Sequence, residues 1–387
     1  MEKILKSVLS LLMGALIGVV AVGGTLFLLE GREGLVNVMR KLGEVPLIDF
    51  AVPILVAFVA MFVAIFLHIV LHEAGHLLMG LATGYRFSSF RIASIAFVRR
   101  EGWIKIRRYK LAGTGGQCLM LPPECPSERV PFFWYNAGGV MMNVTLALVS
   151  LSLLMTCDLS MWWTELCLMM FIVGMFLAVI NGIPMRPGGV QNDGMNILIL
   201  YRVPEKRKDF IRQLQIATAA TEGKRMSELP AEWFDFSPVD DYKDFLRLAS
   251  RLNHQARLID EGDFLAAHAT VEDLLQHFDE LPKLIQFELA GESVFTELLT
   301  ENRKEFIDKY WTKEQVDYVK NCARFSSSKQ RILFAYALFA EKDTDKAQQI
   351  YHDTLNHQDD YLILGEVRGD LALMKDLLEG KIYGKVE

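Results

Sequence analysis

The stretch HEAGH, which runs from His72 to His76, carries residue types suited to metal-assisted hydrolysis. Side chains four residues apart share one face of an α-helix, so His72 and His76 would offer two imidazoles to one zinc ion. Glu73 lies beside them, where it would take a proton from water. The stretch falls in the apolar run 50–79, where such side chains are costly unless they have a function. We therefore favour a metal site over the alternative of polar residues on a buried helix.

A third ligand would complete this site, and the chain offers two candidates. His68 lies on the same helix face as His72, but we expect it to be a core residue or a support for a ligand. Asp193 lies at the end of an irregular segment, 181–194, which contains two prolines and a glycine pair. Two histidines and one carboxylate are typical of hydrolytic zinc sites, so we predict Asp193 as the third ligand. The alternative is that Asp193 caps a helix over 194–201.

The composition indicates a membrane protein with a soluble part. Hydrophobic residues make up 51% of the 387 residues, and the mean hydropathy is +0.22. The formal net charge is -6 and no nucleic-acid-binding signature is present, so we expect no nucleic acid as a partner. The five cysteines are scattered and odd in number, which indicates no disulfide framework.

Four apolar runs are long enough to cross a bilayer, which takes roughly 20 residues. They are Ser7–Leu29, Leu47–Gly80, Phe132–Thr156 and Met161–Ile183. A retained first span is favoured over a cleaved signal peptide, because the run is long for the apolar part of such a peptide. Basic residues dominate 86–131, which places that loop and both termini in the cytoplasm, and the cell (inner) membrane is the expected location.

The basic loop also contains a strand pattern. Two short runs, Phe90–Val98 and Trp103–Leu111, flank the segment Arg99–Gly102. This pattern predicts a β-hairpin within 86–111, directly after the span that carries HEAGH.

Small and polar residues recur in the later spans. Gly138, Gly139 and Asn143 lie in the third run, where they are explained equally well by helix packing and by a role beside the site. Asn181 and Pro184 lie at the end of the fourth run, ahead of Asp193-Gly194. In this order and on these spans, the residues resemble the site-2 protease family of intramembrane zinc metalloproteases. The resemblance covers roughly 47–201.

The resemblance implies an enzyme that cuts transmembrane helices of its substrates. His72, His76 and Asp193 would bind Zn²⁺, and Glu73 would be the catalytic base. Asn181 would help to hold the unwound substrate backbone, and Asn143 is a second, weaker candidate for substrate binding. The predicted hairpin resembles the strand element with which the family presents its substrate.

The chain departs from the family pattern at the third ligand. Asn192 stands where the family usually has leucine before Asp-Gly, and the segment from Asn181 to Asp193 is longer than in the common short form. These differences affect the expected geometry of Asp193 more than the expected presence of zinc.

The rest of the chain is predicted to be soluble and helical. We expect a juxtamembrane helix and linker over 202–239 and a cytoplasmic α-helical domain over 240–387. The helical pattern on both sides of Lys342–Asp345 weakly resembles tetratricopeptide hairpins, and an irregular bundle is the alternative. Either form suits the binding of a cytoplasmic protein partner.

Together these observations predict a mostly α-helical polytopic membrane protein. It would have about four transmembrane helices, an N-terminal span and outer loop over 1–46, a metalloprotease core over 47–201 and the C-terminal helical domain. The predicted activity is zinc-dependent hydrolysis of peptide bonds in or next to transmembrane segments of membrane proteins. The alternatives are an inactive membrane scaffold that recruits partners through its helical domain, and a transporter or maturation factor that binds metal.

Overall fold

The computed structural model describes residues 47–100, 102–108, 115–235, 239 and 241–381. The predicted first span, residues 109–111 of the predicted hairpin and 236–238 of the linker lie outside the described residues. The described residues form two compact units, one of 47–63 with Leu159–Leu166 and one of Ala64–Asp158 with 167–381. Every candidate site residue belongs to the second unit.

Three long helices correspond to the second, third and fourth predicted spans. They are α1 (Leu47–Ala82), α2 (Phe132–Thr156) and α3 (Met161–Gly182). Within the described residues, these three are long and apolar enough to cross a membrane. Lipid offers no hydrogen-bond partners to the backbone, whereas a helix satisfies its own backbone groups. An apolar run of this length therefore folds as a helix.

Two glycines allow α1 and α2 to approach closely beside HEAGH. A Cβ atom on Gly75 would lie 2.2 Å from the carbonyl oxygen of Gly138, and one on Gly138 would lie 2.4 Å from the carbonyl oxygen of Gly75. Such small residues permit backbone contact between membrane helices. The packing explanation of Gly138 therefore agrees with the structure.

Replacement of Gly138 by Ala should destabilise this contact, because one of the two helix backbones must move. Overpacking of this kind costs roughly 1–3 kcal/mol of unfolding free energy. We expect a lower midpoint of thermal unfolding for the full chain in detergent micelles. Leu148→Phe, which adds volume on the exposed side of α2, is the matched control and should leave the midpoint unchanged. Equal midpoints for Gly138→Ala and the unchanged chain would contradict the close contact.

The segment after α1 forms a four-stranded antiparallel sheet, larger than the predicted hairpin. Its strands are β1 (Arg86–Ile92), β2 (Ile95–Arg100), β3 (Trp103–Arg108) and β4 (Gly116–Leu121), in the order β3-β2-β1-β4. The predicted turn between β2 and β3 is present, with Gly102 at φ +81°. The prediction of one strand over Phe90–Val98 is wrong, because the chain reverses at Ala93, whose φ is +50°.

The sheet is fastened to α2 through Tyr135. The ring of this residue stacks on Tyr85 with 4.8 Å between the centroids, and its hydroxyl donates a 2.6 Å hydrogen bond to the Cys118 carbonyl. Met120 of β4 is fully buried in the same cluster. The sheet therefore packs next to the part of α2 that faces HEAGH.

Helices continue from residue 193 to residue 378. Two of them, α4 (Asp193–Arg202) and α5 (Glu205–Glu222), follow the third span closely. The remainder are α6 (Phe245–Glu261), α7 (Phe264–Ala269), α8 (Glu272–Gln276), α9 (Lys283–Leu299), α10 (Lys304–Tyr310), α11 (Lys313–Ala323), α12 (Ser327–Ala335), α13 (Thr344–Asn356) and α14 (Leu364–Leu378). The predicted helical character of this region is confirmed for its described residues, including a helix on each side of Lys342–Asp345.

The helical region contacts both the sheet and the segment before Asp193. Arg100 at the end of β2 donates to the carbonyl oxygens of Tyr361 and Leu362, at 2.6 and 2.8 Å.

The segment before Asp193 is held in the same way. Arg186 donates to the Lys243 carbonyl at 3.1 Å, and Gln191 donates to Asp244 at 3.3 Å. The glycine pair of the predicted loop also lies against this region, since a Cβ on Gly189 would lie 2.6 Å from Pro282 Cβ. These contacts hold the sheet and the segment before Asp193 in defined positions near the site.

Candidate metal centre

The two histidines of HEAGH lie on one face of α1 and point at each other. Their Nε2 atoms are 3.1 Å apart. Two lone pairs at this distance repel each other unless a proton or a cation lies between them. His76 is buried and His72 is nearly so. This arrangement is expected where a cation accepts a lone pair from each ring.

His76 is oriented by the backbone of α2. Its Nδ1 lies 2.7 Å from the carbonyl oxygen of Tyr135, which can only accept a hydrogen bond. The proton therefore belongs on Nδ1, and Nε2 keeps its lone pair. Histidine ligands of metals are typically held in this way by a backbone carbonyl or a carboxylate.

Asn143 lies behind His72, in the interior of the three-helix group. Its side-chain amide is 3.1 Å from His72 Nδ1 and 3.1 Å from His68 Nδ1, and the residue is fully buried. Gly139 provides the space for the His72 ring, since a Cβ there would lie 2.5 Å from it. The structure therefore gives Asn143 contacts with two histidines, and its predicted role in substrate binding stays a prediction.

Asp193 is brought to both histidines by the start of α4. Its Oδ2 lies 3.2 Å from His72 Nε2 and 3.5 Å from His76 Nε2. The residue that caps α4 is its neighbour Asn192, whose side chain accepts from the Met195 N–H at 2.9 Å. The alternative in which Asp193 is the helix cap is therefore wrong, and the carboxylate is free to face the histidines.

Asn192 also ties the start of α4 to the end of α3. Its amide nitrogen donates to the carbonyl oxygens of Ile180 and Ile183, and its oxygen accepts from the Met185 N–H at 3.1 Å. Gly194 allows this approach, because a Cβ there would lie 2.1 Å from the Gly182 carbonyl oxygen. Asn192 thus has a structural role, because its hydrogen bonds fix the start of α4, and with it Asp193, beside the end of α3.

The three donor atoms fit a tetrahedral metal ion. Ligands bound about 2.0–2.1 Å from a tetrahedral centre are separated by about 3.3 Å. The observed separations among His72 Nε2, His76 Nε2 and Asp193 Oδ2 are 3.1, 3.2 and 3.5 Å. Asp193 Oδ2 is buried and makes no hydrogen bond of acceptable geometry, as expected of an oxygen that a cation would satisfy. Two nitrogens and one carboxylate oxygen suit Zn²⁺, and these three residues form a group able to hold a metal ion.

Glu73 lies between the metal-ligand group and the sheet. A Cβ on Gly116, the first residue of β4, would lie 2.5 Å from Glu73 Cγ. The carbonyl oxygen of Gly116 accepts a 3.1 Å hydrogen bond from Arg91, a fully buried cation of β1. The sheet thus brings backbone and a positive charge next to the predicted base.

Two other predicted residues take different positions. His68 is not part of the group of donor atoms, which agrees with its expected role as a support, and its Nε2 lies 2.8 Å from the Met170 carbonyl. Asn181 donates a 3.0 Å hydrogen bond to the Leu177 carbonyl of its own helix. Its role in substrate binding stays a prediction.

Three residues of the site were not identified from the sequence. The capping role of Asn192 had a signal, since asparagine is a preferred residue immediately before a helix. The sequence places Arg91 only within the basic loop 86–131, and no local pattern indicates that its side chain is buried. Tyr135 contributes a carbonyl group, which any residue type would supply.

The fold and the site can be compared with known proteins. The chain matches no protein-family model, no curated protein and no solved structure.

Proposed function

We propose that this chain is a zinc-dependent intramembrane endopeptidase that resembles the site-2 proteases. It would hydrolyse peptide bonds in or next to the transmembrane segments of membrane proteins. The observation that carries the proposal is the convergence of His72 Nε2, His76 Nε2 and Asp193 Oδ2 at 3.1–3.5 Å, with Glu73 adjacent, on a helix long enough to span a bilayer. An inactive scaffold has no need of this arrangement.

The chemistry follows from the residues of the site. Zinc held by His72, His76 and Asp193 would act as a Lewis acid that polarises a carbonyl oxygen and lowers the pKa of water to about 7. The Glu73 carboxylate takes a proton from the attacking water and delivers it to the leaving amide nitrogen. Tyr135 and Asn143 hold the two imidazoles in place throughout.

The substrate must present an extended backbone to this site. A transmembrane helix satisfies its own backbone groups, so its peptide bonds are shielded until it unwinds. Asn181, at the end of α3, and the sheet beside Glu73 are the candidates for holding the unwound segment. The basic loop favours a cytoplasmic position for this end of α1 and for both termini, in the cell (inner) membrane. The region 240–387 would then bind a cytoplasmic protein partner.

Metal removal tests the proposal directly. The full chain is purified in detergent, its metal content is measured by mass spectrometry, and it is placed in liposomes with a panel of single-span peptides. We expect about one zinc ion per chain and cleavage that stops on treatment with a chelator and returns with added zinc. Chelation removes the Lewis acid and leaves the residues intact.

The controls separate this function from its alternatives. Soluble versions of the same peptides, without their apolar segment, are expected to be cleaved poorly if the membrane segment is the substrate. Zinc-free protein, or cleavage that persists after chelation, would contradict the proposal. Stoichiometric zinc without cleavage of any panel peptide would favour a scaffold or a metal-handling protein instead.

A further inference from the structure

A continuous line of polar groups runs from His72 into the interior of the helices. His72 Nδ1 lies 3.1 Å from the amide of Asn143, which lies 3.1 Å from His68 Nδ1. His68 Nε2 in turn lies 2.8 Å from the carbonyl oxygen of Met170 on α3. His68 and Asn143 are both fully buried, so water does not complete their hydrogen bonds.

The carbonyl at the far end sets the direction of every bond in this line. The Met170 oxygen only accepts, so the proton of His68 is on Nε2. A neutral imidazole carries one N–H, so His68 Nδ1 must be an acceptor. Its neighbour must therefore be a donor, and the donor group of Asn143 is its NH₂.

The amide of Asn143 has two orientations of nearly equal shape, related by half a turn. The structure places Oδ1 next to His68 and Nδ2 next to His72. That orientation would require N–H groups on both nitrogens of His68, which is an uncompensated cation in a fully buried position. It would also donate to His72 Nδ1 and leave the proton on Nε2, where the ligand lone pair is needed. The turned amide satisfies all three side chains.

We propose that Asn143 and His68 are positioning residues that fix the tautomer of His72. Asn143 Oδ1 accepts the Nδ1–H of His72, so that His72 Nε2 presents its lone pair to the metal. His68 holds the amide in this orientation by accepting from its NH₂ group and donating to Met170. The inference rests on the proposed function, because it assigns His72 Nε2 as a metal ligand.

The two ligand histidines are thus oriented by different hydrogen-bond partners. His76 lies beside the first turn of α2, where the Tyr135 carbonyl accepts from its Nδ1. His72 lies against the middle of α2, where the side chain of Asn143 is next to its Nδ1. Gly139 and Gly174 confine the rings, since a Cβ on each would lie 2.5 Å from His72 and from His68, respectively.

Zinc affinity of paired variants tests the direction of these bonds. Asn143→Leu removes the acceptor and should weaken zinc binding by about 10–100-fold, as loss of such an outer partner usually does. Asn143→Asp keeps an acceptor for His72 Nδ1–H but has no NH₂ group for His68, so its zinc affinity should lie between those of Asn143→Leu and the unchanged chain. His68→Leu should weaken binding, whereas His68→Gln, which can accept from Asn143 and donate to Met170, should restore it. Affinity is measured on the detergent-solubilised full chain by competition with a chelator.

The spectrum of Co²⁺ bound in place of zinc supplies a second readout. Its absorption reports the coordination geometry, which a loss of general stability does not alter. We expect the Asn143→Asp and His68→Gln spectra to match that of the unchanged chain. The midpoint of thermal unfolding of each metal-free protein identifies any variant that fails to fold.

Several outcomes would overturn the inference. Equal weakening by Asn143→Asp and Asn143→Leu would show that an acceptor beside His72 Nδ1 contributes nothing, and an unaltered affinity in His68→Leu would remove His68 from the line. If all of the Asn143 and His68 variants bind zinc as tightly as the unchanged chain, the positioning roles are wrong and the proposed function stands. If the unchanged chain binds no zinc, both the positioning roles and the proposed function are wrong.

Discussion

Replacement of Glu73 by Gln is expected to abolish peptide hydrolysis while the zinc content of the chain stays unchanged. Glutamine has nearly the same shape, but its amide cannot take up a proton from water. Loss of a general base typically lowers the rate by about 10²–10⁴-fold. Glu73 is absent from the group of metal ligands, so His72, His76 and Asp193 should still hold the ion. The measurement is comparative proteomics of membrane proteins in cells that carry either chain, alongside metal analysis of the purified proteins.

A matched variant controls for the loss of a carboxylate elsewhere. Glu314 in α11 is 67% exposed and pairs at 3.4 Å with Lys283, far along the chain from the site. Glu314→Gln should therefore leave the pattern of membrane fragments as in the unchanged chain. Membrane substrates that are cut equally in the Glu73→Gln cells would exclude Glu73 as the base. Loss of zinc in that variant would instead assign Glu73 a role in metal retention.

The three long apolar helices of the described residues could be predicted almost to the residue. Phe132–Thr156 was predicted and found with the same bounds, because its ends coincide with an abrupt change in hydropathy. The relation between His72 and His76 was equally accessible, since helix periodicity alone places them on one face. Both the bounds of this helix and the shared face of the two histidines depend on residues close together in the sequence.

The sheet could be predicted only in part, since its pairing is not local. Strand β4 pairs with β1, with Arg91 opposite Gln117, and nothing in either segment alone specifies that partner. The sequence gives no strong indication of the reversal at Ala93, because alanine seldom adopts a positive φ. The buried position of Arg91 follows from this pairing and could not be seen without it.

The geometry of the third ligand depended on contacts that are distant in sequence. The segment before Asp193 is held by Lys243 and Asp244, more than fifty residues later, through Arg186 and Gln191. The length of this segment alone therefore does not determine where the Asp193 carboxylate lies. Asparagine and aspartate both favour the position before a helix, so the sequence alone does not say whether Asn192 or Asp193 caps α4. The hydrogen bonds from Asn192 to the carbonyls at the end of α3 make it the cap.

Replacement of Asp193 by Ala is expected to weaken zinc binding by about 100-fold. Structural zinc sites with four ligands bind with about 10–16 kcal/mol, so one ligand contributes about 3 kcal/mol. The two histidines remain, held by Tyr135 and Asn143, and should retain weak binding. Asp193→Asn keeps an oxygen ligand atom without the negative charge. Its zinc affinity should lie between those of Asp193→Ala and the unchanged chain. Zinc affinity is measured by chelator competition, and cleavage of a membrane peptide is followed in the same samples.

The neighbouring Asn192 separates loss of a ligand from loss of the local fold. Asn192 caps α4 and ties it to α3, so Asn192→Ala should lower the unfolding midpoint of the metal-free protein. Asp193 makes no capping bond, so Asp193→Ala should leave that midpoint near its original value while zinc affinity falls. Asp273→Ala, a half-exposed carboxylate in α8 paired with Arg251, should change neither quantity. If Asp193→Ala retains full zinc affinity and cleavage, the metal is held by another set of residues and the proximity of this carboxylate to the histidines has a different cause.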